Sequence, residues 1–535
     1  MRRTSAAIAV VIVALALSAC SAPADESAPS AERPVVESIL PTVTVELPQP
    51  DGPNPYTDGI KVASFLGNET RRYYGEGPVP ETLALIWKTA IGSGTTGGTA
   101  SSAGMVTWAG TGWTGQPALV REGGKLYLLV GGFDHNLVKL DAETGKELWS
   151  YTFDDVIKGS PTVFRMPDTG KLAVVAGSRR GFPKSMGDPS IAPVRCVDFE
   201  TGQELWRMTS PTSRSYSRDA DSSPIMVGDT LFVAIETGYF YAVDPTKTEE
   251  RGGHRWPVVK AEQLLLGSSA AGHGGNLVLE SSPSVIGETI YISSGAGDVY
   301  GLSTKDMSVV WDYWIGSDID GSPITTEDGC ILQAVEKQYI SGQGGVLKID
   351  PRKPPAEATV WFFPTGNRTF ADWQGGVIGS VSVNDEYGSG LARPALASFT
   401  AIDGNLYVVS QDETEGTATT PQGATVPMAK LVFKDGVGGG ISTPIMVDDY
   451  IIQAGYGARV NVYKIDYRAE GGVPLTDRGG HQWTVGVAKV ASFAAGSFES
   501  TPIVWQGRIY IGSRDGNFYC VGDPAYQPIT MPEVP

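Results

Sequence analysis

The sequence contains few cysteines and few histidines, and both residue types are scattered. Of the four cysteines in 535 residues, one lies at position 20, and Cys196, Cys330 and Cys520 are far apart in the chain. This spacing indicates three small apolar core residues and argues against a disulfide framework. No H-x-x-x-H or C-x-x-C pair is present, so the ligand spacing of a zinc site is missing.

Positive charge and helical periodicity are also scarce. Lys and Arg number 41 against 59 Asp and Glu, which gives a formal net charge of −18. Binding to nucleic acid needs clustered basic residues, so this class of partner is excluded. After about residue 50, the apolar residues come in short runs without amphipathic helical spacing. Together with 67 glycines, this pattern predicts an all-β fold of many short strands.

The N-terminus reads as a leader followed by a tether. Residues 1–20 combine two arginines, an apolar stretch and the ending L-S-A-C, which is similar to a bacterial lipobox with Cys20 as the lipidation site. The apolar stretch is too short for a permanent membrane helix. Residues 21–55 are rich in Pro and Ser and are expected to form an extended tether. The sequence assigns no element to residues 56–82, and residues 526–535 form a C-terminal tail.

These features predict an extracytoplasmic protein that is lipid-anchored to a bacterial membrane. The membrane is either the cytoplasmic membrane, on its outer face, or the outer membrane, on the side that faces the periplasm.

A repeated unit organises the remaining chain. Residues 136–163 contain the pattern D-x-x-T-G-x-x-x-W, and the pattern recurs in residues 196–206. Each copy is followed by a Ser-Pro pair, which we take as the start of the next unit. Such self-similarity is the signature of a repeat architecture. Eight residue pairs mark the unit starts: Gln116-Pro117, Ser160-Pro161, Ser223-Pro224, Ser282-Pro283, Ser322-Pro323, Arg393-Pro394, Thr443-Pro444 and Thr501-Pro502. Eight aromatic residues alternate with them: Trp87, Trp149, Trp206, Trp256, Trp311, Trp361, Phe433 and Trp483.

This pattern resembles the tryptophan-docking repeat of quinoprotein-type β-propellers. That superfamily includes the pyrroloquinoline quinone (PQQ) dehydrogenases and the non-catalytic lipoprotein BamB. The resemblance implies a single eight-bladed propeller of four-stranded antiparallel blades over residues 83–525, with seven blades as the alternative. The eight aromatic residues are then docking residues between blades. The unpartnered strand that ends near Trp87 is expected to close the last blade, since a closed ring has no free sheet edge.

Insertions are expected to gather on one face of the disc. The longest connections between units are residues 88–116 and 362–393, and the loops 179–193 and 411–427 are also enlarged. In a four-stranded meander these connections lie on the same side, where variable loops on a rigid scaffold often bind ligands. Trp113 and Trp373 lie in the two longest insertions and are candidate aromatic contacts.

An acidic rim is predicted near the propeller axis. Three residues before the marker prolines, where the first strands begin, four units carry a carboxylate, one carries Lys158 and one carries Leu391. Two more aspartates lie two residues further upstream. The carboxylates are Asp219, Asp221, Glu280, Asp318, Asp320 and Glu499. Such a rim suits a cation, an amine, a polyol or a basic peptide, and oxygen-only ligation favours Ca²⁺. The alternative is a solvated acidic surface.

Three functions remain open at this stage. The first is a membrane-tethered, non-catalytic binding or scaffold module, expected to be monomeric, that takes a protein or small-ligand partner on its insertion-rich face. The alternative is a PQQ-dependent dehydrogenase of alcohols or sugars, whose catalytic members clamp the quinone with adjacent cysteines and place Ca²⁺ beside a catalytic Asp. Adjacent cysteines and a C-x-x-C-H motif are both missing from this sequence, so PQQ is the less favoured cofactor. A carbohydrate-binding lipoprotein is the second alternative.

Overall fold

The computed structural model describes residues 59–98, 104–113, 115–267, 272–387 and 392–526. Cys20, the tether and most of the C-terminal tail lie outside these ranges. Eight sheets of four or five strands form eight propeller blades, which confirms the predicted fold and excludes seven blades. The helices of the described residues are two short 3-10 turns, Pro355–Glu357 and Asp385–Tyr387. In the part of the chain that is described, no helix is long and apolar enough to cross a membrane.

We number the blades along the chain and label the four repeat strands of each blade a to d, from the axis outward. Blade 1 has Ala118–Glu122, Lys125–Gly131, Asn136–Asp141 and Glu147–Thr152. Blade 2 has Thr162–Arg165, Leu172–Gly177, Val194–Asp198 and Glu204–Met208. Blade 3 has Ile225–Val227, Thr230–Ile235, Tyr239–Arg251 and His254–Leu264. Blade 4 has Ser284–Ile286, Thr289–Ser293, Asp298–Ser303 and Val309–Trp314.

The second half of the ring has the same order. Blade 5 has Ile324–Thr325, Ile331–Val335, Gly345–Ile349 and Thr359–Pro364. Blade 6 has Ser382–Val383, Leu396–Thr400, Asn405–Thr419 and Thr425–Gly436. Blade 7 has Ile445–Val447, Tyr450–Ala454, Arg459–Asp466 and Gln482–Ala494, with Val473–Thr476 added outside. Blade 8 has Ile503–Trp505, Arg508–Gly512 and Asn517–Gly522. Two hairpins lie between blades and consist of Ser93–Gly97 with Met105–Ala109, and Asn367–Phe370 with Trp373–Gly375.

The ring is closed as the sequence predicts. Strand Ala84–Ala90 comes from the N-terminal end of the propeller and pairs antiparallel with Asn517–Gly522, so that it becomes strand d of blade 8. Every blade therefore has its outer strand. The closure removes the edge that blade 8 would otherwise expose.

A ring of hydrogen bonds around the axis explains the Ser-Pro pairs. In blades 1 to 7 the residue at the marker position, which is followed by proline in all of these blades except blade 6, donates its backbone N–H to the side-chain hydroxyl of the equivalent residue in the following blade. The donor–acceptor pairs are Gln116–Ser160 (2.9 Å), Ser160–Ser223 (3.1 Å), Ser223–Ser282 (2.9 Å), Ser282–Ser322 (2.8 Å), Ser322–Ser380 (2.9 Å), Ser380–Thr443 (2.9 Å) and Thr443–Thr501 (3.4 Å). The Gln116 amide closes the ring on the Pro502 carbonyl at 2.9 Å. A small hydroxyl residue satisfies a buried N–H at each position.

The hydroxyl ring corrects the prediction for blade 6. Ser380, and not Arg393, occupies the marker position, and Pro394 precedes strand b instead of strand a. The predicted axial residue Leu391 lies outside the described residues. Ile378 takes the axial position, three residues before Val381, which stands where the other blades have the marker proline. The enlarged loop 411–427 belongs to strands c and d, so it is a hairpin on the opposite face.

The docking position is visible in the strand register. In every blade the register between strands c and d shifts directly after one particular residue pair. In blade 1 this pair is Lys139 on strand c and Trp149 on strand d, and the residue on strand d holds the docking position. The indole N–H at this position donates to a carbonyl oxygen of the following blade, in the pairs Trp87–Ala142 (3.1 Å), Trp149–Phe199 (2.9 Å), Trp206–Pro245 (3.0 Å), Trp311–Lys353 (3.1 Å) and Trp361–Gln411 (2.8 Å). In blade 6 Phe433 holds the position, and its ring contacts Tyr463 of blade 7 at a centroid distance of 5.7 Å.

The docking predictions for Trp256 and Trp483 are wrong. The register shift places Ala261 in the docking position of blade 3 and Ala491 in that of blade 7. Trp256 donates its indole N–H to Arg251 in its own hairpin, at 3.0 Å, and Trp483 donates to Asp477, also at 3.0 Å. Both blades extend strands c and d beyond the usual length, and each tryptophan lies on the extension.

Residues 60–76, which we call the axial plug, close the axis on one face. The plug begins as strand Ile60–Val62 on blade 1 and ends as strand Gly75–Glu76, parallel to strand a of blade 8. Between these strands the backbone carbonyl oxygens of the plug accept hydrogen bonds from four blades. In each of these blades the donor is the backbone N–H of the residue two positions after the marker proline, in the pairs Val163–Ala63 (2.8 Å), Val285–Glu69 (2.8 Å), Thr325–Thr70 (3.3 Å) and Val504–Tyr74 (3.2 Å). These contacts lie beyond the hydroxyl ring, on the face away from the predicted acidic rim.

Candidate ligand chamber

An axial chamber of about 860 Å³ lies on the insertion-rich face, on the other side of the hydroxyl ring from the plug. All of its lining residues belong to loops between strands b and c or to connections between blades. The two longest predicted insertions, residues 88–116 and 362–393, therefore meet around one cavity, to which loop 179–193 contributes no lining residue. Its aromatic lining includes both predicted contacts and comprises Trp108, Trp113, Phe133, Tyr216, Tyr339, Phe370, Trp373 and Tyr456.

The predicted acidic rim forms part of the chamber wall. Lys158, Glu280, Asp318, Asp320 and Glu499 line the cavity. Asp219 and Asp221 are buried, with 3% and 1% of their surface exposed. The rim is thus a buried cluster and not a solvated surface. Two further buried carboxylates join it.

The two additional carboxylates, Glu236 and Glu336, were missed because they directly follow strand b and not the connections between blades. A sequence signal for them exists. The motif D-x-D-x-S-P occurs only at residues 219–224 and 318–323 of the sequence, and in each case a Glu follows strand b of the same blade. We call Asp219, Asp221 and Glu236 the blade 3 set, and Asp318, Asp320 and Glu336 the blade 5 set.

Two carboxylates of the blade 3 set are neutralised by the chain itself, whereas burial, followed by the charges of Asp221 and Glu280, raises the pKa of Glu236 well above its usual value. The Lys158 ammonium forms an ion pair with Asp221, and the Arg179 guanidinium Nε lies 2.7 Å from the Asp219 carboxylate. Burial alone would lower the pKa of Lys158, but the charge of Asp221 and of its acidic neighbours raises the net pKa. Burial alone would likewise raise the pKa of Asp219, but Arg179 holds it below its usual value.

The blade 5 set has amide partners and an internal hydrogen bond between the Asp320 and Glu336 side chains. The Asn276 side-chain amide donates to Asp318 at 2.5 Å, and the Gln338 amide donates to Glu336 at 3.1 Å. Within the described residues, no Lys or Arg forms an ion pair with this set. Burial, followed by the charge of a neighbouring carboxylate, raises the pKa of Asp318 and of Asp320 to about 7. The same causes raise the pKa of Glu336 well above its usual value.

Several carboxylate oxygens in the cluster are buried without a hydrogen-bond partner among the described residues. In the blade 5 set these are Asp318 Oδ1 and Glu336 Oε1, on residues that are 6% and 1% exposed. The blade 3 set has two such oxygens as well, on Asp221 and Glu236, so the two sets differ in their cations and not in the number of unpartnered oxygens. A buried polar atom without a partner costs roughly 1–3 kcal/mol. The arrangement therefore calls for a proton or a cation that the described residues do not supply.

Glu280 connects the two sets, whereas Glu499 stands apart. Glu280 belongs to blade 4, and burial together with nearby carboxylates raises its pKa well above the usual value, although Lys158 acts in the opposite direction. Glu499 forms an ion pair of 2.8 Å with Arg514 and accepts a hydrogen bond of 3.2 Å from Tyr456. The acidic cluster thus consists of one set in which two of three carboxylates are paired with cations, one set without an ion pair, and a separate ion pair at Glu499.

Two groups of carboxylates have spacings that suit a metal ion. One oxygen from each of Asp221, Glu236 and Glu280 lies within 4.8 Å of the others, and the same holds for the blade 5 set. Ca²⁺ binds carboxylate oxygens at 2.3–2.6 Å, so a single ion can reach three oxygens at this separation. In the first group the Lys158 ammonium already supplies a positive charge.

The sequence of the propeller is similar to one protein family and to two characterised relatives. The sequence profile of the family described as outer membrane protein assembly factor BamB matches residues 84–252 and 190–353, which together cover half of the chain. A quinohemoprotein alcohol dehydrogenase from Comamonas testosteroni is 34% identical over 111 residues, 19% of this chain and 14% of that protein. A quinoprotein ethanol dehydrogenase from Pseudomonas putida is 25% identical over 248 residues, 45% of this chain and 31% of that protein. The matches thus span less than a third of these two relatives.

Solved structures with a similar fold include BamB and alcohol or methanol dehydrogenases. BamB from Moraxella catarrhalis aligns with a TM-score of 0.44 at 14% identity, over 83% of this chain and 99% of that structure. The quinohemoprotein alcohol dehydrogenase from Comamonas testosteroni aligns with a TM-score of 0.49 at 13% identity, over 89% and 82%. A europium-containing methanol dehydrogenase gives a TM-score of 0.48 at 13% identity, over 85% and 89%. Similarity at this level does not extend to activity.

Proposed function

The chain belongs to the BamB-like family of PQQ-repeat β-propellers, and on that premise we propose that it is a non-catalytic binding module that holds its ligand in the axial chamber. We further propose that Cys20 is lipidated and tethers the module to the outside of a bacterial membrane. The proposal is supported chiefly by the chamber itself. It is open on the insertion-rich face and closed by the plug on the other, and its wall combines aromatic rings with uncompensated carboxylates.

Size and backbone conformation both support a binding role. A cavity of about 860 Å³ falls within the range of roughly 300–1,000 Å³ that is typical of small-molecule sites. Trp113, Tyr339 and Ala371 line it with φ angles of 51°, 60° and 51°, in the left-handed region that non-glycine residues seldom adopt. Such strain is found preferentially at functional sites, where the surrounding structure enforces it.

A PQQ-dependent dehydrogenase is the second candidate, because both curated relatives are named as quinoproteins. The chamber fits this cofactor poorly. PQQ carries three carboxylates, whereas the wall is rich in carboxylates, and its Lys158 and Arg514 are already paired with Asp221 and Glu499. The cysteines 196, 330 and 520 are free and buried, and none of them lines the chamber. We therefore derive no redox step.

A ligand screen with two aromatic variants tests the binding proposal. Thermal shift of the purified full chain is measured against amines, amino acids, sugars, polyols and divalent cations. Trp373→Ala removes a ring from the chamber, and Trp256→Ala removes a ring from a hairpin on the opposite face. We expect at least one ligand whose affinity falls by about tenfold in Trp373→Ala and is unchanged in Trp256→Ala.

Two results would contradict the proposal. One is a screen in which no compound stabilises the wild type, and the other is an equal loss of affinity in both variants. If the stabilising compounds are all neutral sugars, the carbohydrate-binding alternative gains support instead.

A further inference from the structure

We propose that the blade 5 set, together with Glu280 and the rings of Tyr216 and Tyr339, binds an organic ligand that carries a primary ammonium group. The inference rests on the proposed binding function and names the class of its ligand. It follows from a comparison of two equivalent sites within the same chain, from buried acceptors without donors, and from the position of two exposed rings.

The blade 3 set shows how this arrangement accommodates an ammonium group. Lys158 pairs with Asp221, and its Nζ lies 5.1 Å from the centroid of the Trp113 ring. The repeat places Asp320 where blade 3 has Asp221, and Glu336 where blade 3 has Glu236.

The blade 5 set differs in the residue that precedes it around the ring. Three residues before the marker proline, blade 2 has Lys158, which serves the blade 3 set. Blade 4 has Glu280 at the corresponding position. Its charge acts on Asp318 and Asp320 of the blade 5 set, and one of its oxygens also lies within 4.8 Å of Asp221 and Glu236. The chain thus replaces a cation with a further carboxylate at one of two equivalent sites. An ammonium group of the ligand would supply to the blade 5 set the positive charge and the N–H donors that Lys158 supplies to the blade 3 set.

The unpartnered oxygens fit the donors of such a group. Asp318 Oδ1 and Glu336 Oε1 are buried acceptors without a donor among the described residues. An ammonium group offers three N–H donors, no acceptor and one positive charge. It would therefore satisfy acceptors and offset negative charge at the same time, whereas a neutral alcohol would do only the former.

Two exposed tyrosines favour an organic cation over a bare metal ion. Tyr216 and Tyr339 line the chamber and are 50% and 48% exposed. Tyr339 stacks on His273 with a centroid distance of 4.0 Å, and the Asn276 amide that holds Asp318 also donates to its hydroxyl at 3.4 Å. Tyr216 lines the same cavity as Glu280, Asp318 and Asp320, and burial, followed by the charges of Glu280, Glu236 and Asp318, raises its pKa.

Aromatic faces attract organic cations through their negative electrostatic potential. A metal ion bound by the carboxylates has no need of such rings or of a cavity of about 860 Å³. The geometry thus favours an ammonium group attached to a larger molecule.

The test uses cadaverine (1,5-diaminopentane) as the probe, with pentane-1,5-diol as its uncharged counterpart and Ca²⁺ as the inorganic alternative. Isothermal titration calorimetry of the full chain should show one cadaverine bound and no binding of the diol. Glu336→Gln should weaken cadaverine binding by about tenfold or more, whereas the repeat-equivalent Glu236→Gln should change it by less than about twofold. Tyr339→Phe should keep the affinity, and Tyr339→Ala should weaken it by about fivefold.

Each opposite outcome overturns the proposal. These outcomes are equal binding of the diol, equal losses in Glu236→Gln and Glu336→Gln, or Ca²⁺ binding that depends on Glu336 while cadaverine does not bind. Melting curves of each variant show that the fold is intact. If cadaverine fails but another compound in the screen binds in the chamber, the ammonium assignment is wrong and the proposed function stands. If no compound binds there, both are wrong.

Discussion

At the residue scale, the blade junctions depend on single hydrogen bonds from indole N–H groups. Trp361 is fully buried and donates to the Gln411 carbonyl of the next blade at 2.8 Å. Trp256 makes a comparable bond of 3.0 Å, but within its own exposed hairpin. The two tryptophans look alike in the sequence, and only the strand register separates a residue that joins blades from one that does not.

Replacement of these two tryptophans by phenylalanine tests this distinction. Trp361→Phe leaves the buried Gln411 carbonyl without its donor and creates a small cavity, so we expect a loss of about 2–3 kcal/mol in the free energy of unfolding. Trp256→Phe should change it by less than about 0.5 kcal/mol. Denaturant unfolding measures both values. Equal losses would show that Trp256 also docks between blades.

The uncompensated carboxylates predict how stability depends on pH. In the folded state Asp318 and Asp320 have pKa values of about 7, chiefly because they are buried, and an unfolded Asp titrates near 3.9. Between about pH 4 and pH 7 the folded state therefore binds more protons, so this pair makes the protein less stable as the pH rises. We expect Asp318→Asn with Asp320→Asn to raise the melting temperature at pH 8 and to reduce its decline from pH 5 to pH 8. Parallel melting curves of variant and wild type would contradict the assignment.

At the element scale, the axial plug is a structural part of the propeller that the repeat pattern does not include. Arg71 shows this best. It is fully buried and donates to Pro283 at 2.7 Å, to Ser64 at 2.8 Å and to Ser223 at 3.3 Å, so that it links the plug to blades 3 and 4. Burial lowers its pKa to about 9. The Arg71 guanidinium donates to carbonyl and hydroxyl oxygens of the plug and of two blades. Among the described residues, no carboxylate forms an ion pair with it.

Substitution of Arg71 tests the role of the plug. Arg71→Met removes the donor from several buried oxygens, so we expect a loss of about 2–4 kcal/mol in the free energy of unfolding. Lys61→Met, in the same segment but only partly buried, should cost less than about 0.5 kcal/mol. A stability unchanged by Arg71→Met would show that the plug is not part of the cooperative fold.

These elements also show how far sequence reasoning reaches. The eight-bladed ring and its closure by strand Ala84–Ala90 were predictable, because each regular blade repeats its turn, its tryptophan and its Ser-Pro pair. The prediction was wrong where one residue of the repeat pattern was missing from its usual place. In blade 6 the marker Ser380 has no proline after it, and a nearby Arg-Pro pair took its place. The plug was missed because it lies outside the repeat: its contacts combine backbone hydrogen bonds, which any sequence can provide, with single side chains such as Arg71 that match no repeated pattern.

The candidate site was predictable in part, for a similar reason. Carboxylates at the starts of strand a share a register, so their convergence near the axis followed from the repeat. Glu236 and Glu336 lie at the ends of strand b and were not counted. The pairing of Lys158 with Asp221, which divides the cluster into a neutralised and an uncompensated set, depends on side-chain positions that the sequence pattern does not fix.

At the scale of the whole molecule, the two faces of the disc have different roles. The plug closes one face and the chamber opens on the other. The chain that precedes the plug contains the proposed lipidation site at Cys20. We therefore expect Cys20→Ser to release the protein from membranes, because the acyl chains would be lost. Membrane fractionation and the mass of the mature N-terminus check this outcome, and an unchanged membrane fraction would contradict the lipid anchor.

Reconstitution with PQQ tests whether this propeller binds its ligand without redox chemistry. The purified full chain is incubated with PQQ and Ca²⁺, separated by gel filtration, and assayed for quinone absorbance and for dye-linked oxidation of alcohols and sugars. Because the chamber wall is acidic and its lining cations are paired, we predict that the quinone elutes separately and that dye reduction equals the protein-free control. Stoichiometric bound quinone together with substrate-dependent dye reduction would contradict the account and identify the protein as a dehydrogenase.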